Sequence, residues 1–136
     1  MIKRHEGLKL TPYRCTAGRL TVGYGHNLDA HGEAPETITQ QQAEKYLDED
    51  IAEARKQCEQ RLIGWDQLGE VRRAVLIDMC FNLGIAGLLK FARMRHWIAK
   101  GYYGQAAVEM RDSVWAIQVQ NRARELATMM EKGEWI

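Results

Sequence analysis

From Thr39 to Leu62 the chain carries one unbroken apolar stripe. Ala43, Leu47, Ile51, Ala54, Cys58 and Leu62 succeed one another at intervals of four, four, three, four and four. Only an α-helix, turning every ~3.6 residues, stacks such positions on one face. Thr39 and Gln42 offer a capping box at the start, and neither proline nor glycine interrupts the run. At ~1.5 Å per residue a helix over 39–62 spans ~36 Å. That is long for a chain of 136 residues, and it suits a strut joining two lobes.

Beyond the strut the chain reads as helical throughout. Leu68, Val71, Val75, Met79 and Leu83 form a second stripe, closed by Gly84. A third helix is predicted over 88–100, stopped by Gly101, a fourth over 103–113, and a fifth over 121–132, capped by Gly133. The N-terminal side of the strut differs in kind. Residues 1–6 fit a short helix with Gly7 in a left-handed cap, and 8–25 read as strands. Thr16, Ala17 and Gly18 form a three-residue hairpin loop in this reading, and Leu20, Thr21, Val22 and Tyr24 the return strand. The segment 27–38, with Gly32 and Pro35, reads as a loop with one more edge strand at 36–38. The class is therefore α+β and mostly helical: a small N-terminal β-hairpin lobe over 1–38, an inter-lobe helix over 39–62, and a helical lobe over 63–136.

Composition narrows the function. Nineteen Lys and Arg stand against eighteen Asp and Glu, for a formal net charge of +1, which gives no support for a nucleic-acid partner. Cys15, Cys58 and Cys80 show no CxxC-like spacing, so no metal site is expected. Cys58 and Cys80 fall on apolar helix faces, the setting of buried free thiols. No run approaches the ~20 apolar residues of a membrane span, and Lys3, Arg4, His5 and Glu6 stand where a signal peptide would build its apolar core.

The stretch HEGLKLTPYRCTAGRLTVGYGH, residues 5–26, concentrates the chemistry. A carboxylate (Glu6), a thiol (Cys15), a hydroxyl (Thr21) and an imidazole (His26) lie among Gly7, Gly18, Gly23 and Gly25. Such a mixture of titratable groups and turn residues just after a helix end points to an active-site hairpin. Glu6 itself sits at the negative end of its helix dipole, a place that suits a proton donor.

This stretch resembles the catalytic signature of the phage-type lysozymes, in which a Glu is followed nine residues later by an Asp and six after that by a Thr. Glu6 and Thr21 fit; the middle position is Cys15. The resemblance continues through AEKYLDED (43–50), AVLIDMCFNLG (74–84), W-x5-NRA (115–123) and GEW (133–135). It implies a single lysozyme domain over 1–136 that cleaves the β-1,4 bond between N-acetylmuramic acid and N-acetylglucosamine in peptidoglycan. Glu6 would be the general acid, with Cys15 and Thr21 positioning water. It also implies that Arg122 pairs with Glu6 and that His26 pairs with Asp50 on the long helix. Phe81 and Asn82 would line the cleft, while Trp115 is read as core.

Cys15 leaves three readings open. A thiol titrates near ~8.5 and is mostly neutral at pH 7, so it partners a developing positive charge less well than an Asp. It is a water-positioning base in an inverting reaction, a covalent nucleophile in a retaining one, or a bystander in a weakened enzyme. Thr21 read without the family is an ordinary β-branched strand residue. A thiol-peptidase pairing of Cys15 with His26 lacks an oxyanion motif. Beside the muramidase stand a lytic transglycosylase, which needs one Glu and no water, and a peptidoglycan-binding protein on a lysozyme scaffold. The resemblance further implies an endolysin without cofactors, expected as a monomer. It would be made in a host cytoplasm without a signal peptide and act on periplasmic peptidoglycan after release.

Overall fold

A computed structural model describes residues 1–14, 19–28 and 37–136. They form two units, Met1–Glu53 and Ala54–Ile136, whose boundary falls within the long helix.

In the first unit, helix α1 (Ile2–Glu6) ends where the Gly7 N–H donates to Lys3 O at 2.9 Å. Gly7 has φ 69° and ψ 169°. The sign of φ is that of the expected left-handed cap, but ψ is extended, a region open in practice to glycine alone. The chain therefore leaves the helix directly as a strand. Strands β1 (Lys9–Arg14), β2 (Leu20–Gly23) and β3 (His26–Asn27) make an antiparallel sheet in the order β1-β2-β3. Tyr13 pairs with Thr21 and Arg14 with Leu20, yet Lys9 pairs with Gly23, so the register shifts by two residues between Lys9 and Tyr13. Pro12 lies in that interval and has no N–H to give the ladder. The Leu10 carbonyl accepts instead from Ile38 N at 2.8 Å.

The third strand is a correction to the sequence reading. It lies at His26–Asn27, opposite Val22 and Thr21, because Tyr24 and Gly25 turn the chain back at once. Residues 37 and 38 are not a strand, residue 36 lies outside the described residues, and Ile38 is anchored through its bond to Leu10. The proposed hairpin loop at Thr16, Ala17 and Gly18 also lies outside them. Gly23 packs on the long helix: a Cβ there would lie 3.3 Å from Ala43 Cβ, a closeness that excludes larger residues.

Helix α2 (Gln40–Arg61) forms as the stripe predicts. Its capping box is complete, with Thr39 N donating to Gln42 Oε1 at 3.0 Å and Gln42 N donating to Thr39 Oγ1 at 3.1 Å. Ala43, Leu47, Ala54, Cys58 and Leu62 of the stripe are buried and Ile51 is half-buried.

The second unit continues with a 3-10 turn (Trp65–Gln67) and helices α3 (Glu70–Leu89), α4 (Ala92–Lys100), α5 (Tyr103–Arg111), α6 (Val114–Val119) and α7 (Asn121–Lys132). Gly84 breaks α3 with φ 73° and ψ 162°, at the position where the stripe predicts closure. Helices α3 and α4 then meet at 102°. The predicted helix over 88–100 is therefore shortened: Leu88 and Leu89 finish α3, and a tight turn at Lys90 and Phe91 precedes α4. Ser113, placed by the sequence reading at the end of the fourth helix, starts the next one. Its Oγ accepts from Ala116 N at 3.1 Å and donates to Met110 O at 2.7 Å. Helix α6 left no stripe to read, since Val114 and Ile117 are exposed and only Trp115 is buried.

Helix α5 packs on α4 and α7, and α3 on α7. Met79, Leu88, Met94, Met110, Leu126 and Met130 fill the core between them. The chain is α+β and mostly helical, the class read from its sequence. Among the described residues no single helix is long and apolar enough to cross a membrane.

Candidate active site

The N-terminal unit positions two of the three residues expected to act. Glu6 is half-buried as the last residue of α1. Thr21, on the central strand, is buried, and its Oγ1 donates to Arg19 O at 2.9 Å. A hydroxyl whose proton is so engaged retains its lone pairs and can still accept a hydrogen bond. Cys15 lies outside the described residues.

His26 is held from two sides by α2. Its Nδ1 lies 2.8 Å from Asp50 Oδ2, with the two side chains 4% and 21% exposed. The ring of Tyr46 stacks on the imidazole at 4.1 Å and 8°. Tyr46 and Asp50 are four residues apart, so one helical face presents both ring and carboxylate to β3. Since a carboxylate accepts only, Nδ1 carries the proton of that bond. The sequence reading named Asp50 and missed Tyr46, whose only signal was the four-residue spacing.

The C-terminal unit has its own polar axis. Arg122, in the first turn of α7, donates from Nε to Asp78 Oδ1 at 2.8 Å, with side chains 9% and 0% exposed. Sequence reading missed Asp78, although it is the one charged residue in the run AVLIDMCFNLG. One turn later on the same face, Asn82 Oδ1 accepts from Trp115 Nε1 at 2.7 Å. The indole can only donate, so this bond fixes the amide's orientation and leaves its NH2 group as the donor face. Phe81, beside it, is half-buried. Trp115 is core, packed edge-on against Phe91 at 5.9 Å.

Cys58 and Cys80 are buried thiols. Cys58 Sγ contacts Leu76 O at 3.7 Å and Cys80 Sγ contacts Gln57 Oε1 at 3.6 Å. The hydrogen bond with Cys80, with burial as the next cause, pushes the Cys58 thiol far above its ordinary range, which makes it a poor nucleophile. Among the described residues no three His, Cys, Asp or Glu side chains converge to hold a metal ion.

A family model described as phage lysozyme matches residues 3–131. The chain belongs to the phage lysozyme family. It is 26% identical over 159 aligned residues to "Probable T4-type lysozyme 1" of Dictyostelium discoideum, covering 98% of this chain and 92% of that one. It is 32% identical to "Endolysin" of Acyrthosiphon pisum secondary endosymbiont phage 1, over 82% of this chain and 73% of the relative. It is also 26% identical to "Pre-baseplate central spike protein Gp5" of Enterobacteria phage T4, where 98% of this chain matches only 27% of the larger protein. The family match covers Glu6, Cys15 and Thr21, the residues at the spacing read from the sequence.

Proposed function

We propose that this lysozyme is an endolysin that hydrolyses the β-1,4 bond between N-acetylmuramic acid and N-acetylglucosamine in peptidoglycan. The observation that carries the proposal is the family match over 3–131, with Glu6 and Thr21 at the signature spacing on α1 and β2. Glu6 protonates the leaving glycosidic oxygen. The attacking water donates one proton to Thr21 Oγ1, which can only accept because its own proton is held by Arg19 O. Cys15 is proposed as the water's second partner, leaving the water's lone pair for the anomeric carbon. The reaction proposed is an inverting one, in which water needs room opposite the acid. Only the thiolate form of a cysteine can take up the water's proton, and that form is a minor species of an ordinary thiol at neutral pH. Turnover is therefore slower than with an Asp in that place.

The remaining residues support this machinery. His26, clamped by Asp50 and Tyr46, fixes the hairpin that carries Thr21. The pairing of Arg122 with Glu6 belongs to this proposal as the resemblance implies it, with Asp78 holding the Arg122 guanidinium. Phe81 and the Asn82 NH2 group contact the glycan. The enzyme works as a monomer without a cofactor and reaches the periplasmic wall after release from the host cytoplasm. The departure at Cys15 favours one second reading, a lytic transglycosylase, in which Glu6 acts alone and an anhydro sugar forms without water.

Mass spectrometry of the soluble products from purified murein separates these readings, with Glu6→Gln as the blank. Water-added reducing ends that vanish in the variant are expected. Anhydro-muramyl ends would move the protein to the transglycosylases, and no soluble product from either form would leave only a wall-binding role.

A further inference from the structure

The near-neutral chain hides a one-sided stretch. Between Asp78 and Glu109 there is no acidic residue, while Lys90, Arg93, Arg95 and Lys100 all fall there. Three of these four cations lie on α4, and Arg93 and Lys100 are exposed. This helix lies beside an apolar cleft of about 280 Å³, with buried Leu62, Leu76 and Ile98 and, closer to solvent, Arg95, His96 and Ile63. Ile63 is 78% exposed. Arg95 is pinned in place by its bond from Nη1 to Leu89 O at 2.7 Å.

His96 also borders a neighbouring cleft with Arg93, Trp97 and Glu109. Trp97 is packed between His96 and Tyr102, at centroid distances of 5.0 and 5.9 Å, and Tyr102 is 58% exposed. The whole belongs to the C-terminal unit. None of the residues lining it has a role in the chemistry above.

We propose that this α4 face docks on the surface of an anionic lipid bilayer. The three ingredients are those of an interfacial helix: cations to meet phosphate headgroups, an apolar recess with an exposed aliphatic side chain at its mouth, and amphipathic aromatics at the flank. Charge complementarity selects an anionic partner, and the apolar floor selects one that also offers acyl chains. A sugar polymer supplies the first without the second. Nucleic acid is disfavoured by a net charge of only +1. Glu109, the one acid at the second cleft, marks the edge of the face. The chain lies on such a surface without spanning it. The glycan chemistry plays no part in this docking.

Co-sedimentation of the intact protein at low salt tests it. The probes are vesicles of phosphatidylcholine alone, vesicles of phosphatidylcholine with phosphatidylglycerol, and purified murein. Binding to the anionic vesicles is expected, with little to the neutral ones, and it should weaken as salt screens the cations. Neutralising two of them (Arg93→Gln with Lys100→Gln) should lower partitioning about 30-fold, as two surface cations near an anionic leaflet imply. Ile63→Ser should lower it about tenfold, through lost apolar contact. Both variants replace exposed side chains, and their circular dichroism should match that of the parent. Equal binding to both vesicle types, or none to either, overturns the proposal. So does anionic-vesicle binding that survives the double substitution. Loss confined to murein binding would reassign the face to the wall polymer and equally overturn it.

Discussion

Each unit of the molecule fastens one element to a helix through an aspartate, and the two fastenings differ in how they treat water. In the N-terminal unit Asp50 takes the imidazole of His26 while 21% of its side chain remains exposed. In the C-terminal unit Asp78 takes the Arg122 guanidinium with no exposure at all. The difference stems from what surrounds them. A sheet of three strands, the last of two residues, has little apolar surface to bury, so a latch of ring stack and hydrogen bond does part of the work of a core. Helices α3 and α7 already bury methionine and leucine, Met79, Leu126 and Met130 among them. A charge placed there loses its hydration and depends on its partner. A half-wet latch is replaceable; a dry ion pair is far less so.

Breaking each latch tests that contrast. Asp78→Ala removes the buried carboxylate that accepts from Arg122 Nε, and should cost about 3–5 kcal/mol in denaturant unfolding. If the pair specifies position more than stability, replacing both partners together (Asp78→Leu with Arg122→Met) should recover most of that loss. A double variant as unstable as the single one would mean the helices need the ion pair itself. His26→Ala removes, among its contacts, the hydrogen bond to the partly wet Asp50 carboxylate and the stack on Tyr46, and should cost about 2 kcal/mol. Its effect on amide exchange should concentrate in β2 and β3. Equal losses at the two sites would erase the distinction between wet and dry latches.

The same contrast explains what could be read from the sequence. The helix from Thr39 was legible almost to the residue, because stripe, capping box and absence of breakers agree. So were the closing helix at Asn121–Lys132 and its Gly133 cap. Glu6 and Thr21 were singled out as candidates through the resemblance, which also implied the His26–Asp50 contact seen in the structure. Asp78 was not singled out, since a charge inside an apolar run shows no partner until the fold brings α7 to α3. Tyr46 offered only its four-residue spacing from Asp50, and the Asn82–Trp115 bond showed no partner before the fold formed. Helix α6 escaped because Val114 and Ile117 face solvent and only Trp115 is buried, so periodicity carried no signal. The strand at His26–Asn27 is too short for any alternation to register.

The C-terminal core should also respond to alkali more steeply than the N-terminal latch. The Cys80 hydrogen bond and burial hold the Cys58 thiol far above its ordinary value of 9.0. The folded protein thus keeps this proton when the unfolded chain has lost it. Stability from this group is complete below about pH 9 and falls as pH rises beyond it. The slope approaches about 1.4 kcal/mol per pH unit. Cys58→Ala should flatten that slope in unfolding measured across the alkaline range. An unchanged slope would show that the thiol pair is not its source. At the other end of the scale of dryness stands the exposed capping box of α2. Thr39→Ala removes the acceptor for Gln42 N and should cost about 1 kcal/mol, with Thr39→Ser restoring most of it.

The smallest effect tests how the dry ion pair is aimed. Gln120 joins α6 to α7 with φ 48° and ψ −106°, and it is the one residue other than glycine with positive φ among those described. Such a conformation costs about 1–3 kcal/mol in a residue with a Cβ. It is held by bonds on both sides, from Gln120 N to Ala116 O and from Arg124 N to Gln120 O. Two residues later Arg122 enters its bond with Asp78, so the bend and the ion pair are two parts of one placement. Gln120→Gly relieves the strain but gives the unfolded chain about 0.4–1 kcal/mol of extra entropy. The net should be a gain of about 0.5 kcal/mol in denaturant unfolding. In the Asp78→Ala background the ion pair no longer fixes α7, so the bend can relax unaided and the gain should shrink. An undiminished gain there would show that the bend is set by α6 and α7 alone, and that the ion pair follows the helix without aiming it.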